Sequence, residues 1–298
     1  MKQPDNKKWL LITALFLLYT TWSSTYLAIR VAVETIPPFA MTTIRFIAAG
    51  GLMILLAFVM KEKWPPLKEL GGAALVGVIL FLGANVLLCY AEQSVSSGIS
   101  AVAVSSGAFW ICLFSGFFGR WPTKMEWAGI LLGFVGIIIL ATGQEMKGNM
   151  AGTAMLIISS MLWAFGAVLS KQLPVPKGFM GSGLEMLFGG LASFVVLFFI
   201  KDGFTFKASN ESIYALIYLI TIGAMVGFSA FMYVLQNARP ALASSYSYVN
   251  TVGAVILGVV ILKEKMDARE VLAMFVVVAA VAVIAFAGMR AGNKKKQE

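Results

Sequence analysis

The groups able to do chemistry in this 298-residue chain are few, and most of them stand inside long apolar runs. Four charged residues come first: Arg45, Glu92, Glu185 and Arg239. Arg45 and Glu185 lie within apolar runs, where an unpaired charge is expensive, so each predicts a partner or a wet cavity. At 1.5 Å of rise per residue, their depths leave them roughly 13 Å apart along the normal of a hydrocarbon layer of ~30 Å. Nearer partners are therefore expected, Glu92 for Arg45 and Arg239 for Glu185, as ties at two opposite gates. The plainer alternative is that all four snorkel to headgroups and water.

Neutral polar groups form the second set. Trp22, Ser24, Tyr26, Asn85, Ser105, Trp163, Tyr246 and Asn250 are the candidate substrate-binding residues. Asn85 and Asn250 each carry an amide with several hydrogen-bonding sites, and in hydrocarbon those sites need partners that a cavity or a solute supplies. Trp22 and Trp163 sit too deep in their runs to belong to an interface belt. A single serine is better explained by bonding the carbonyl one turn back. Asn250 is the residue on which this reading leans most, and Trp22, Trp163, Tyr246 and Asn250 are expected to face one cavity.

The missing chemistry is equally informative. The chain has no histidine, which removes the commonest general base and metal ligand and any His proton relay. Cys89 and Cys112 fall inside apolar runs, with neither a disulfide framework nor metal-ligand spacing. No phosphate-binding loop, nucleophile elbow or zincin motif occurs. No catalytic residue, metal ligand or cofactor is assigned, and the chain is read as a non-enzyme. With one carboxylate, Glu185, inside the runs, facilitated transport is expected, or proton coupling through Glu185 or Glu92 at most.

The elements that must position these residues are membrane spans. Hydrophobic residues make up 59% of the chain and charged residues 12%, against roughly 25% charged in soluble domains. Mean hydropathy is +0.87. Ten apolar runs are each long enough to cross a bilayer as helix: 9–29, 39–60, 70–90, 97–118, 127–144, 150–170, 180–200, 212–235, 241–262 and 271–289. Lys and Arg number 15 in the segments on one side and 7 on the other, so the positive-inside rule puts both termini in the cytoplasm. The net charge of +9 is concentrated in short loops and termini. It reads as orientation and contact with anionic lipid, with no nucleic-acid partner.

The two halves align on each other. The stretch from Trp22 to Arg30 lies over Trp163 to Lys171, Arg45 over Glu185, and Tyr90 over Tyr233, at nearly constant offset. Five runs per half is an odd number, so the second copy enters the membrane from the opposite side, as in inverted-repeat transporters. The expected fold is an all-α membrane protein of ten transmembrane helices in two inverted five-helix repeats. Its segments are a cytoplasmic N-terminus over 1–8, repeats over 9–144 and 150–290, and a basic cytoplasmic tail over 291–298. Gly129 and Gly133, four apart, fit small-residue helix packing, inside the chain or in a homodimer.

In this setting the chain resembles the ten-helix EamA-type branch of the drug/metabolite transporter superfamily. The residues that carry the resemblance are Trp22 to Thr25, Pro37-Pro38 followed by Arg45-Phe46, Ala91-Glu92 before Ser97-Gly98-Ile99, and Pro240 to Ala243 before Tyr248-Val249-Asn250. It covers about residues 9 to 290. The resemblance implies a central cavity lined mainly by helices 1, 3, 4, 6, 8 and 9, with 2, 5, 7 and 10 more peripheral and access alternating between faces. Family members often carry proline inside helices 4 and 9. Ala108 and Thr251 stand there in this chain, which predicts straighter helices. The expected function is a transporter in the bacterial inner membrane (the plasma membrane), an exporter of small metabolites such as amino acids or related amphipathic compounds. The competing reading is a non-transporting scaffold or lipid-handling protein. The partners expected are a small-molecule substrate and the lipid bilayer.

Overall fold

The computed structural model describes residues 4–91, 93, 103–141, 150–199, 207–262 and 268–294, and no strand occurs among them. In chain order the helices are α1 (Pro4–Val33), α2 (Pro38–Val59), α3 (Leu67–Ala91), α4 (Ala103–Phe117), α5 (Lys124–Ala141) and α6 (Met150–Leu169). Then come α7 (Gly178–Leu197), α8 (Asn210–Asn237), the short α9 (Pro240–Ser244), α10 (Tyr246–Leu262) and α11 (Ala268–Lys294). Among the described residues, seven helical stretches are long and apolar enough to cross a membrane, in α1, α2, α3, α6, α7, α8 and α11. Burial supports lipid as the solvent. Leu55, Phe58, Leu131, Phe275 and Val278 are exposed, whereas Ser105, Ser193, Glu185 and Asn250 are buried. Polar groups turned inward and large apolar ones outward is the arrangement hydrocarbon selects.

Helix boundaries follow local chemistry. Prolines open α2 and α9, where the missing N–H has no intrahelical partner to lose. At α5, Thr123 Oγ1 accepts the Glu126 N–H at 3.2 Å and the Glu126 carboxylate accepts the Thr123 N–H at 2.7 Å, a reciprocal cap. The α7 N-terminus is capped from another helix. Glu62, just beyond α2, accepts the N–H groups of Phe179 and Met180 at 3.2 and 2.8 Å. Gly178 at φ +72° makes this possible, since a Cβ there would lie 2.6 Å from the Glu62 carboxylate.

Helices 2 and 7 are not peripheral, contrary to what the resemblance implies. They meet backbone to backbone: a Cβ on Gly50 would lie 2.6 Å from the Leu187 nitrogen, and one on Gly190 2.7 Å from the Ile47 nitrogen. Small residues permit that approach, which brings Arg45 and Phe46 inward. The Gly129–Gly133 pair is used within the chain. Gly129 faces Ile284 of α11 and Gly133 faces the Tyr248 ring of α10.

The helices facing the centre depart from regular α geometry at matched places. In α3 the stretch Val78–Ala84 has i→i+5 bonding, with the Asn85 N–H reaching Leu80 O. In α8 the stretch Leu219–Val226 does the same, with the Gly227 N–H reaching Ile222 O. Residues 78 and 219 are 141 apart, the offset at which Trp22 overlies Trp163. Such bulges recur at functional sites.

Helices 4 and 9 each have one break in regular α geometry. The first is interrupted at Ser106 (φ −58°, ψ −20°) and the second at Ser245 (φ −63°, ψ −18°). At each break the serine hydroxyl bonds the carbonyl three residues back, Ala103 O or Leu242 O. The backbone N–H of each serine reaches the same carbonyl, at 3.2 and 3.3 Å, so the turn tightens to three-residue spacing without proline.

Candidate functional site

The two ends of the bundle are defined by which turns touch. At one end Thr35 donates to Ser212 Oγ at 2.8 Å, Ser212 donates to Val31 O at 2.8 Å, and the Ser209 N–H reaches Thr35 Oγ1 at 3.0 Å. This is the Thr35 end. At the other, the Arg239 guanidinium grips the Glu126 carboxylate side-on, Nε to Oε1 at 2.5 Å and Nη2 to Oε2 at 2.7 Å. That bond holds the Arg239 pKa above its ordinary value. Lys171 Nζ donates to Leu235 O at 2.5 Å. Burial, and then the neighbouring Arg120 charge, lower the Lys171 pKa to about 8.

Between the ends lies a cavity of about 90 Å³, several times the roughly 10–15 Å³ that one water requires. Its floor is a cluster of rings. Trp22 meets Trp163 edge to face with centroids 5.5 Å apart, and Tyr246 and Phe231 at 5.1 Å each. Trp163 meets Phe231 at 5.7 Å, and Phe231 meets Tyr246 at 5.3 Å. Edge-to-face packing of this kind is favourable beyond area burial. The floor closes the side towards the Arg239 end. The walls rise towards the Thr35 end through Ile29, Arg45, Asn85, Leu88 and Val104.

Each irregular stretch is tied to the helix beside it. The Trp22 indole N–H donates to Gly223 O at 3.1 Å, inside the α8 bulge, and Ser159 of α6 donates to Ala84 O at 2.8 Å, at the end of the α3 bulge. The serine breaks are tied likewise. Ser160 of α6 donates to Ala103 O at 3.2 Å, and Tyr19 of α1 bonds Ser245 Oγ at 2.6 Å. Residues 19 and 160 are again 141 apart.

Of the residues singled out from sequence, Trp22, Tyr26, Arg45, Asn85, Trp163 and Tyr246 line this cavity together. Asn250, Ser24 and Ser105 do not line it. Asn250 lies one turn beyond Tyr246, 1% exposed, and its amide has no hydrogen-bond partner among the described residues. The expected convergence of all four central residues therefore fails at Asn250, because helix 9 turns that side chain into the packed interior. Ser24 bonds the Tyr218 hydroxyl at 2.5 Å, and Ser105 is fully buried. Glu92 lies outside the described residues, so its pairing with Arg45 does too. The pairing of Glu185 with Arg239 is not formed. Arg239 is taken by Glu126, while Glu185 is fully buried, with its backbone packed on Gly77.

Sequence reasoning did not select Phe46, Phe81 and Phe228 as site residues, although they line the cavity. Phenylalanine in an apolar run carries no signal that separates cavity wall from core. Glu126 was legible: Thr123 and Glu126 stand three apart before an apolar run, the spacing of a capping box.

The sequence matches the EamA-like transporter family over residues 9–142 and again over 150–286. The chain belongs to the EamA-like transporter family. It is 39% identical over 275 residues to the uncharacterized inner membrane transporter YedA of Escherichia coli K12, covering 92% of this chain and 90% of that protein. It is 27% identical over 241 residues to Protein PagO of Salmonella typhimurium, covering 78% and 79%. An uncharacterized transporter of Archaeoglobus fulgidus is 23% identical over 273 residues, covering 89% and 94%. A solved crystal structure superposes with a TM-score of 0.74 at 19% identity, over 95% of this chain and 99% of that one, so the fold is shared. The EamA-like chain is a multi-pass helical membrane transporter, and its two family matches are tandem copies.

Proposed function

We propose that this EamA-like chain exports small metabolites across the bacterial inner membrane by alternating access, and that amino acids or related amphipathic compounds are its solutes. The observation that carries this reading is the cavity between the halves, walled by rings and a few polar groups and floored by Trp22, Trp163 and Tyr246, against which Phe231 packs. We take the architecture as ten spans in two inverted five-helix units. The 141-residue offset shared by the bulges and by the Tyr19 and Ser160 ties supports equivalence of the halves. Five crossings per unit invert the second copy. The Arg239 end is taken as cytoplasmic, in line with the excess of cations in its turns, and both termini lie on that side. The positioning groups on the cavity wall suit a neutral or zwitterionic solute.

Purified protein reconstituted in vesicles tests the reading. Solute-specific flux is expected for at least one amino acid or amphipathic metabolite loaded inside. Vesicles no leakier than protein-free controls across the panel contradict it. For topology, a cytoplasm-active reporter fused after Glu298 is expected to be active, and activity of a periplasmic reporter there instead contradicts the orientation.

A further inference from the structure

One group in the cavity wall, Arg45, has no ion-pair partner among the described residues. Arg45 stands seven residues beyond Pro38, the start of α2, so it lies about 10 Å along the helix at 1.5 Å per residue. It is 6% exposed. Its Nε and Nη1 have no hydrogen-bond acceptor among the described residues, and no described carboxylate forms an ion pair with it. The guanidinium lies over the Phe46 face, 4.8 Å from its carbon to the ring centroid. A cation–π contact compensates only part of the loss of solvation. The nearby Gly223 carbonyl is already bonded by the Trp22 indole. Across the cavity wall Asn85 presents an amide oxygen that also lacks a donor.

We propose that Arg45 is the anchor for a solute carboxylate, and that Asn85 Oδ1 accepts from a donor group on the same molecule. A guanidinium presents a planar fork of N–H donors matched to a carboxylate. Arg45 is the one charged residue among those lining the described cavity, so a single negative charge neutralises the site and a doubly charged phosphate does not. The ring floor and Phe81 receive an apolar remainder. The transporter reading supplies only the word solute; the anchor itself is a binding property.

The test is thermal stabilisation of the purified full chain in detergent, with hexanoate, hexylamine, hexanol, sodium chloride and inorganic phosphate as probes. A bound ligand raises the apparent melting temperature by mass action. Hexanoate is expected to stabilise saturably and the other four are not. Losing a charge-assisted bond weakens binding by roughly 10–100-fold, so Arg45→Gln is expected to lose the hexanoate response. Arg45→Lys, a point charge rather than a fork, is expected to keep a weaker one. If Arg45→Gln does not fold, Arg45→Lys decides, and an unchanged affinity there overturns the anchor. Absence of a hexanoate response in the parent chain, or a hexanoate response that survives Arg45→Gln, overturns it. Equal stabilisation by chloride or phosphate overturns carboxylate selectivity, including a lipid phosphate as the natural anion. Hexanoate binding without vesicle flux for any solute contradicts transport alone, whereas flux without hexanoate binding contradicts the anchor alone.

Discussion

Among the described residues, the ties at the two ends of the bundle differ in chemistry. At the Arg239 end the described ties each involve a charged group: the ion pair of Arg239 with Glu126, the Glu62 carboxylate accepting from two amides of α7, and the Lys171 ammonium donating to Leu235 O. At the Thr35 end they are hydroxyl contacts among Thr35, Ser209 and Ser212, together with Val31 O. Charge-assisted hydrogen bonds are roughly twice as strong as neutral ones. Of the described ties, those at the Arg239 end are therefore the stronger set.

The largest expected effect breaks the ionic side directly. Glu126→Gln leaves Arg239 without its carboxylate and is expected to lower stability by about 2–3 kcal/mol, the scale of a hydrogen bond to a charged group. Thermal unfolding in detergent reads it, and exchanging the two charges restores part of the loss if the pair is the cause. Next is the cap on α7. Gly178→Ala is expected to cost about 1–2 kcal/mol for a left-handed residue and to crowd Glu62. Combined with Glu62→Ala it should cost less than the sum, because the two changes act on one contact. Trp22→Phe keeps a ring and removes the N–H on Gly223 O, with an expected loss of about 1 kcal/mol. Thr35→Val should lose no more than about 1 kcal/mol. If Thr35→Val destabilises more than Glu126→Gln, the contrast between the ends is reversed.

A separate effect is a slope with pH. The Lys171 pKa is about 8 in the fold and roughly 10.4 in an unfolded chain. Between those values the unfolded state binds more protons, so stability rises with pH across that window and falls as pH drops through about 8. The difference between the parent chain and Lys171→Gln in melting temperature from pH 8 to 10 isolates it, and equal slopes remove Lys171 from the ties.

Long apolar runs and matched tryptophans were legible because lipid imposes length and polarity on every span, and the repeat places Trp22 and Trp163 alike. Asn250 misled because an amide in a span needs partners, but sequence does not say on which side of a broken helix it falls. The Arg239 partner was misassigned because depth along a helix is readable and the lateral neighbour is not; Glu126 stands at an equally suitable level. Helix 2 reached the cavity through glycine contacts whose closeness appears only once two backbones are in space.

Helices 4 and 9 are broken without proline, at Ser106 and Ser245, whose hydroxyls bond carbonyls three residues back. A proline bend is permanent, since the ring deletes a donor for good. A serine hydroxyl is a rotor that can turn away and leave the carbonyl to the backbone N–H that already reaches it. These two elbows can therefore straighten without any covalent obstacle. In each, the latch is touched by the helix beside it, through Ser160 in one and Tyr19 in the other. A sliding movement of α1 or α6 would then reach its elbow as the release of a single hydroxyl.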